Sequence, residues 1–243
     1  MVLLEYGRDY FRLGVMLEFQ GVSKQYGDDR YVLRDINLSF PKGAFVALNG
    51  PSGSGKTTLL NLSAGLDDPT EGRVWAFGQD LSGLNKRARS LLRLNKMGFV
   101  FQAYNLLPVL TACENVELTC LLQGLPAEEA RQRALTALTK VGLQDFAGRR
   151  PALLSGGQQQ RVAVARAIAG SPEVIFADEP TANLDSANAF QLIQLFQSLN
   201  RESGVAFIFS THDQRLSEAV NFCVNLEDGR VVTKETPGDK TKR

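Results

Sequence analysis

The octapeptide Gly50-Pro51-Ser52-Gly53-Ser54-Gly55-Lys56-Thr57 restricts this chain to few folds because of what flanks it. Ahead of it lies Ala44-Phe45-Val46-Ala47-Leu48, a continuous apolar run that reads as a strand buried on both faces. Behind it, residues 57–66 have helical periodicity. Strand, glycine loop, helix is the order in which such a loop wraps phosphate. Glycines at 50, 53 and 55 let the backbone turn tightly, so that successive amides point inward. The helix start adds its positive dipole end. Lys56 supplies a mobile charge between β- and γ-phosphate, and the Thr57 hydroxyl can ligate Mg²⁺. Thr58, next on the helix, is counted with the loop as a nucleotide contact.

The rest of the chain alternates strand and helix. Strands are expected over residues 16–22, 34–40, 97–101, 174–177 and 205–209, with a Pro41-Lys42-Gly43 turn after the second. Residues 81–169 read as mostly helical, with a helix start at Pro126-Ala127-Glu128-Glu129 and another helix over 158–169. A further helix spans 186–201. This alternation predicts an α/β layer with a largely parallel sheet. Residues 1–15 carry no motif; either Met16 is the functional start or the segment before it is a loosely held extension. Residues 235–243 are polar and read as frayed.

Five further positions are chemical candidates, four of them at strand ends. Asp178 and Glu179 close a buried strand at the edge where open α/β sheets hold ligands. Asp178 suits Mg²⁺, directly or through water, and Glu179 suits orienting an attacking water. His212, the only histidine, follows another strand and is assigned a hydrogen bond to the γ-phosphate or that water. Gln102, after residues 97–101, can reach Mg²⁺ with its amide oxygen. Tyr26 is suited to stacking on a base, with a plain surface tyrosine as the alternative.

Ser155-Gly156-Gly157-Gln158 supplies a second anion site, a serine hydroxyl and unpaired amides at a helix start. One nucleotide does not need both cradles. The economical explanation is that each chain lends its second site to a partner's nucleotide.

Bulk properties exclude some classes. With 27 basic and 26 acidic residues, the net charge of +1 implies no nucleic-acid partner. No apolar run approaches the ~20 residues of a membrane span, and Glu5, Arg8, Asp9 and Arg12 interrupt any leader-like core. Work at a membrane would need another subunit. Three cysteines, Cys113, Cys120 and Cys223, sit in apolar surroundings without zinc-site spacing, which suits a reducing compartment.

Together these motifs resemble the ATP-binding cassette (ABC) ATPases over residues 17–233. The resemblance implies a single domain with a phosphate-loop NTPase (RecA-like) core, an antiparallel β subdomain and a helical subdomain. Residues 16–87 and 167–235 would form the core with the β lobe, and 88–166 the helical lobe. Tyr26 becomes the adenine-stacking aromatic and Gly50 to Thr57 the Walker A loop. Gln102 becomes the Q-loop, Leu154 to Gln158 the signature, and Val174 to Glu179 the Walker B strand with its catalytic glutamate. Ala182-Asn183-Leu184-Asp185 becomes the D-loop across a dimer seam, so that Asp185 joins the nucleotide-binding set, and His212 the switch histidine. The implied protein is an ATPase using ATP and Mg²⁺, a homodimer, cytoplasmic, and peripheral on the inner face of the membrane through a transmembrane permease subunit.

The stretches around Gln102 and Glu179, with Gly65-Leu66-Asp67, are similar to the lipoprotein-release and macrolide-efflux branch. Ala182 and Ala103-Tyr104 depart from its usual pattern. Polar amino-acid importers share part of the Gln102 segment. A non-transport ABC ATPase would carry two cassettes or a coiled-coil insertion, and a small GTPase would need a guanine-reading aspartate near Asn95-Lys96-Met97-Gly98; neither feature is present. The segment from Gln102 to Glu117 falls where the family docks its membrane subunit, although Leu106, Leu107, Val109 and Leu110 suit a core equally.

Overall fold

The computed structural model describes residues 14–27 and 30–235. The expected extension and the frayed end therefore lie almost wholly outside the described residues.

The chain runs β1 (Val15–Tyr26), β2 (Arg30–Pro41), β3 (Phe45–Asn49), α1 (Lys56–Ser63), β4 (Glu71–Ala76), β5 (Gln79–Asp80), α2 (Lys86–Lys96) and β6 (Met97–Val100). It continues through α3 (Ala112–Leu122), α4 (Ala127–Lys140), α5 (Gly156–Ala169), β7 (Val174–Asp178), α6 (Ser186–Ser203), β8 (Ala206–Ser210), α7 (Gln214–Ala219), β9 (Phe222–Glu227) and β10 (Arg230–Glu235). Two sheets result. A four-stranded antiparallel sheet has the order β2-β1-β4-β5. A six-stranded sheet has the order β10-β9-β3-β8-β7-β6, parallel except for the terminal hairpin.

Period-two patterning explains how the large sheet is covered. Phe45 and Ala47 of β3, Ile175 and Ala177 of β7, and Phe207 and Phe209 of β8 face one apolar cluster, shared with α3 to α6. The intervening Val46, Leu48, Val174, Phe176, Ala206 and Ile208 face a second cluster, which takes in α1 and the antiparallel sheet. Both faces are dry, hence the continuous apolar runs in the sequence. Phe45, Phe196, Phe207 and Phe209 meet edge-on or tilted, except for the stacked pair Phe207–Phe209, with centroids 5.1–5.7 Å apart. Fully burying each phenyl contributes about 1.5–3 kcal/mol.

α3, α4 and α5 pack on one another as a helical group, while β6 joins the main sheet and α2 packs on it. Caps fix where these helices begin. Thr111 and Glu114 make a capping box on α3, and Ser155 and Gln158 make one on α5. α1 is shorter than its periodicity predicts, ending at Ser63 because Gly65 turns left-handed at φ 60°. α5 starts two residues earlier than expected, at Gly156. All three cysteines are buried. Burial pushes the Cys113 thiol up to about 11, so it stays protonated at neutral pH.

Candidate functional site

The carboxyl ends of β3, β6, β7 and β8 lie side by side in the large sheet, and each delivers one candidate segment. A cavity of about 600 Å³ opens there. Its lining takes in Gly50 to Gly53, Gly55 to Thr58, Gln102, Glu179 and His212. Val32, which had no expected role, and Ala182, the first residue of the expected D-loop, complete it.

Two loop glycines are required by space as well as by backbone angle. A Cβ on Gly50, at φ 148°, would sit 2.2 Å from the Leu226 carbonyl oxygen of β9. One on Gly55, at φ 101°, would sit 2.6 Å from Leu33 Cδ2 and 2.9 Å from the Val32 oxygen. β2 and β9 thus press the loop from both ends. Gly50→Ala is expected to cost about 1–3 kcal/mol of folding stability together with nucleotide affinity; urea unfolding measures it, and an unchanged midpoint would mean that β9 yields.

The Lys56 ammonium is wrapped by its own loop, donating to Gly50 O at 2.8 Å and Pro51 O at 3.0 Å. Ser54 is buried beneath the loop. Thr57 Oγ1 donates to Asp178 Oδ1 at 3.2 Å, and Ser210 Oγ donates to the same oxygen. Glu179 has left-handed backbone, φ 45°, and its Oε1 pairs with His212 Nδ1 at 2.8 Å. A carboxylate only accepts, so Nδ1 carries the proton in this pair, and Nε2 is the ring nitrogen left for another partner. Glu179 Oε2 is buried without a partner among the described residues.

Tyr26 is half exposed, and its hydroxyl donates to Asp67 Oδ2 while Lys24 Nζ stands 4.7 Å from its ring centroid. Burial raises the Asp67 carboxyl, but hydrogen bonds from Lys24 and Tyr26 more than offset this and leave it below the ordinary range. Burial first, then Asp67, raises the Tyr26 phenol, which stays a neutral donor.

The other candidates line no part of this cavity. Ser155 Oγ accepts from the Gln158 amide at 3.3 Å, while Gln158 Oε1 accepts from the Ser155 amide at 2.9 Å. The box uses only an acceptor lone pair of the serine, and the first-turn amides of Gly156 and Gly157 have no carbonyl of their own helix to donate to. Asp185 caps α6, accepting from Asn188 N at 2.8 Å and Nδ2 at 2.7 Å. Those hydrogen bonds hold its carboxyl below the usual range. The glycine loop and the start of α5 are therefore two separate places whose groups suit an anion.

Several bracing residues went unnoticed in the sequence. Thr181 Oγ1 donates to Asp213 Oδ2 at 2.8 Å, joining the segment after Glu179 to the one after His212. Asn183 Nδ2 donates to Gln102 O at 3.0 Å. Asn115, 1% exposed, accepts from Leu107 N and donates to the carbonyls of Leu107, Leu110 and Thr111. It pins the segment that follows Gln102.

These donors suit a magnesium nucleoside triphosphate. Inward amides and Lys56 can neutralise phosphate, but Asp178 and Glu179 beside it would repel it. One hydroxyl, one carboxylate and one amide oxygen, from Thr57, Asp178 and Gln102, are a typical partial shell for Mg²⁺ that keeps waters and phosphate oxygens.

Residues 33–182 match the family model described as ABC transporter. The chain belongs to the ABC transporter family. Among its relatives, the lipoprotein-releasing system ATP-binding protein LolD of Aquifex aeolicus is 46% identical over 205 residues, 84% of this chain and 91% of that one. The macrolide export ATP-binding/permease protein MacB of Syntrophobacter fumaroxidans is 46% identical over 88% of this chain, which spans 31% of that longer protein. Among solved ABC structures, the dimeric post-hydrolysis state of the cassette MJ0796 bound to ADP and Pi superposes with a TM-score of 0.84. It is 42% identical, covering 91% of this chain and 98% of its own; MJ0796 belongs to Methanocaldococcus jannaschii.

Proposed function

We propose that this chain is the ATP-binding and hydrolysing subunit of an ABC transporter, working as two copies closed over two ATP–Mg²⁺. The observation that carries the reading is the separation of the phosphate cavity from the capped Ser155 helix start. Face-to-face pairing brings the helix start of each copy to the γ-phosphate held by the other. Gly50 to Thr58 bind the phosphates, Lys56 bridges β and γ, and Tyr26 stacks on the base. Thr57, Asp178 and Gln102 hold Mg²⁺, which when bound neutralises charge on the transferring phosphoryl group. Glu179 orients and deprotonates the attacking water, His212 holds Glu179 and faces the γ-phosphate, and Asp185 lies on the seam. Ser155→Arg tests the geometry: single copies should bind ATP as before, while the ATP-driven dimer disappears from light scattering. Weakened ATP binding by single copies would contradict it.

No described helix is long and apolar enough to cross a membrane. The names of the relatives favour work on a transmembrane permease, with this ATP-binding unit peripheral on its cytoplasmic side. The segment after Gln102 supports this. Leu106 packs into the core, but Leu107 and Val109 are 43% and 72% exposed, and Leu121 and Leu122 of α3 add apolar surface. The names of the relatives favour lipoprotein release or efflux-type export as the transport step.

A further inference from the structure

Gln160 lies in the second turn of α5 and is 0% exposed. Its Nε2 donates to the Pro180 carbonyl at 2.8 Å. A carbonyl can only accept, so the amide orientation is fixed. Gln160 Oε1 is left without a hydrogen-bond partner among the described residues. Burying an unpaired amide oxygen costs stability that a methionine of similar length would not cost. Stability alone does not explain a glutamine here.

Its partner does. Pro180 immediately follows Glu179, whose left-handed backbone persists only if its surroundings over-determine it. On the amino side, Glu179 N donates to Ser210 O at 2.9 Å, anchoring it to β8. On the carboxyl side, Ala182 N returns to Glu179 O at 3.2 Å and Thr181 is tied to Asp213. Gln160 supplies the one of these ties that comes from α5, the helix opened by Ser155. The same helix grips the other catalytic strap. Arg166 donates to the carbonyls of Tyr104 and Asn105, both left-handed and close after Gln102.

We propose that Gln160 is a positioning residue for Glu179, through which the signature helix α5 sets the carboxylate that acts on the chain's own nucleotide. This rests on Glu179 being the catalytic carboxylate. A helix engaged at one end with the partner's nucleotide and braced at Pro180 gives each site mechanical notice of the other.

The test is a double-mutant cycle on the full chain with Mg²⁺, comparing wild type, Gln160→Met, Glu179→Gln and the pair in steady-state turnover over a range of ATP concentrations. Gln160→Met is expected to lower kcat about tenfold, the scale of one well-placed hydrogen bond, with KM and the thermal midpoint not worsened. On the Glu179→Gln background it should lower the rate no further, because the group it positions is already disabled. If Gln160→Met stays within about twofold of wild type, or if the losses multiply, the positioning role is overturned. A loss of kcat that tracks a falling thermal midpoint overturns it too. Should Gln160→Met not fold, Gln160→Leu enters the same cycle. If Glu179→Gln itself leaves turnover unchanged, the reading of the site fails first and takes this inference with it; a slow Glu179→Gln beside an unimpaired Gln160→Met removes this inference alone.

Discussion

Glu179→Gln retains ATP and accumulates as a dimer while turnover falls by about 10²–10³, the scale of losing one transition-state stabiliser. The amide keeps the size of the side chain and can still pair with His212 at the position of Oε1, 2.8 Å from Nδ1. What it loses is the carboxylate charge, shared with Oε2, a buried oxygen without a partner among the described residues, on a residue that lines the phosphate cavity. An amide there cannot take a proton from water. Binding depends on the loop and Lys56, which the substitution leaves alone, so the closed state forms and persists. Turnover by phosphate release, with dimer mass by light scattering, checks both halves. Unimpaired turnover would remove Glu179 from its role.

Lys56→Ala abolishes tight ATP binding, by at least about 10²-fold, since two charge-assisted hydrogen bonds to phosphate are lost at once. The ammonium also donates to Gly50 O and Pro51 O, so the loop that presents the amides loosens as well. Arginine is expected not to rescue, because a planar guanidinium does not fit where a compact point charge is wrapped by two carbonyls. Titration with a fluorescent ATP analogue measures the change. An affinity within about threefold of wild type would contradict the phosphate-loop assignment.

Much of this architecture was legible because the large sheet is dry on both faces. That condition turns β3, β7 and β8 into short unbroken apolar runs, and the glycine loop and carboxylates fall where such runs stop. The antiparallel sheet was read less completely. β4 holds only Val74 and Ala76 as buried residues, and β5 is two residues long. Its turn, Phe77-Gly78, has φ of 51° and 75°. The β9–β10 hairpin turns at Asp228-Gly229, φ 46° and 75°, and an Asp-Gly pair between apolar runs was a readable signal that went unused.

Within the site, chemistry was easier to see than bracing. Glu179 and His212 are conspicuous by type and position, whereas Thr181 and Asp213 act through a contact between segments remote in sequence, and Asn115 through bonds to the backbone of the loop just before it. Gln160 is an instructive case. Beside Gln158 and Gln159 it looks like one more polar residue, yet Ala163, Val164 and Ala167 stand three, four and seven positions on, and all are buried. Helical phase alone placed it on the inner face of α5.

The most direct measurement of the shared-site account is ATP turnover per chain as a function of protein concentration, with the fraction of dimer recorded in the same samples. The account predicts that turnover per chain follows the dimer fraction and falls toward zero on dilution. Constant turnover per chain at concentrations where every molecule is single would contradict it.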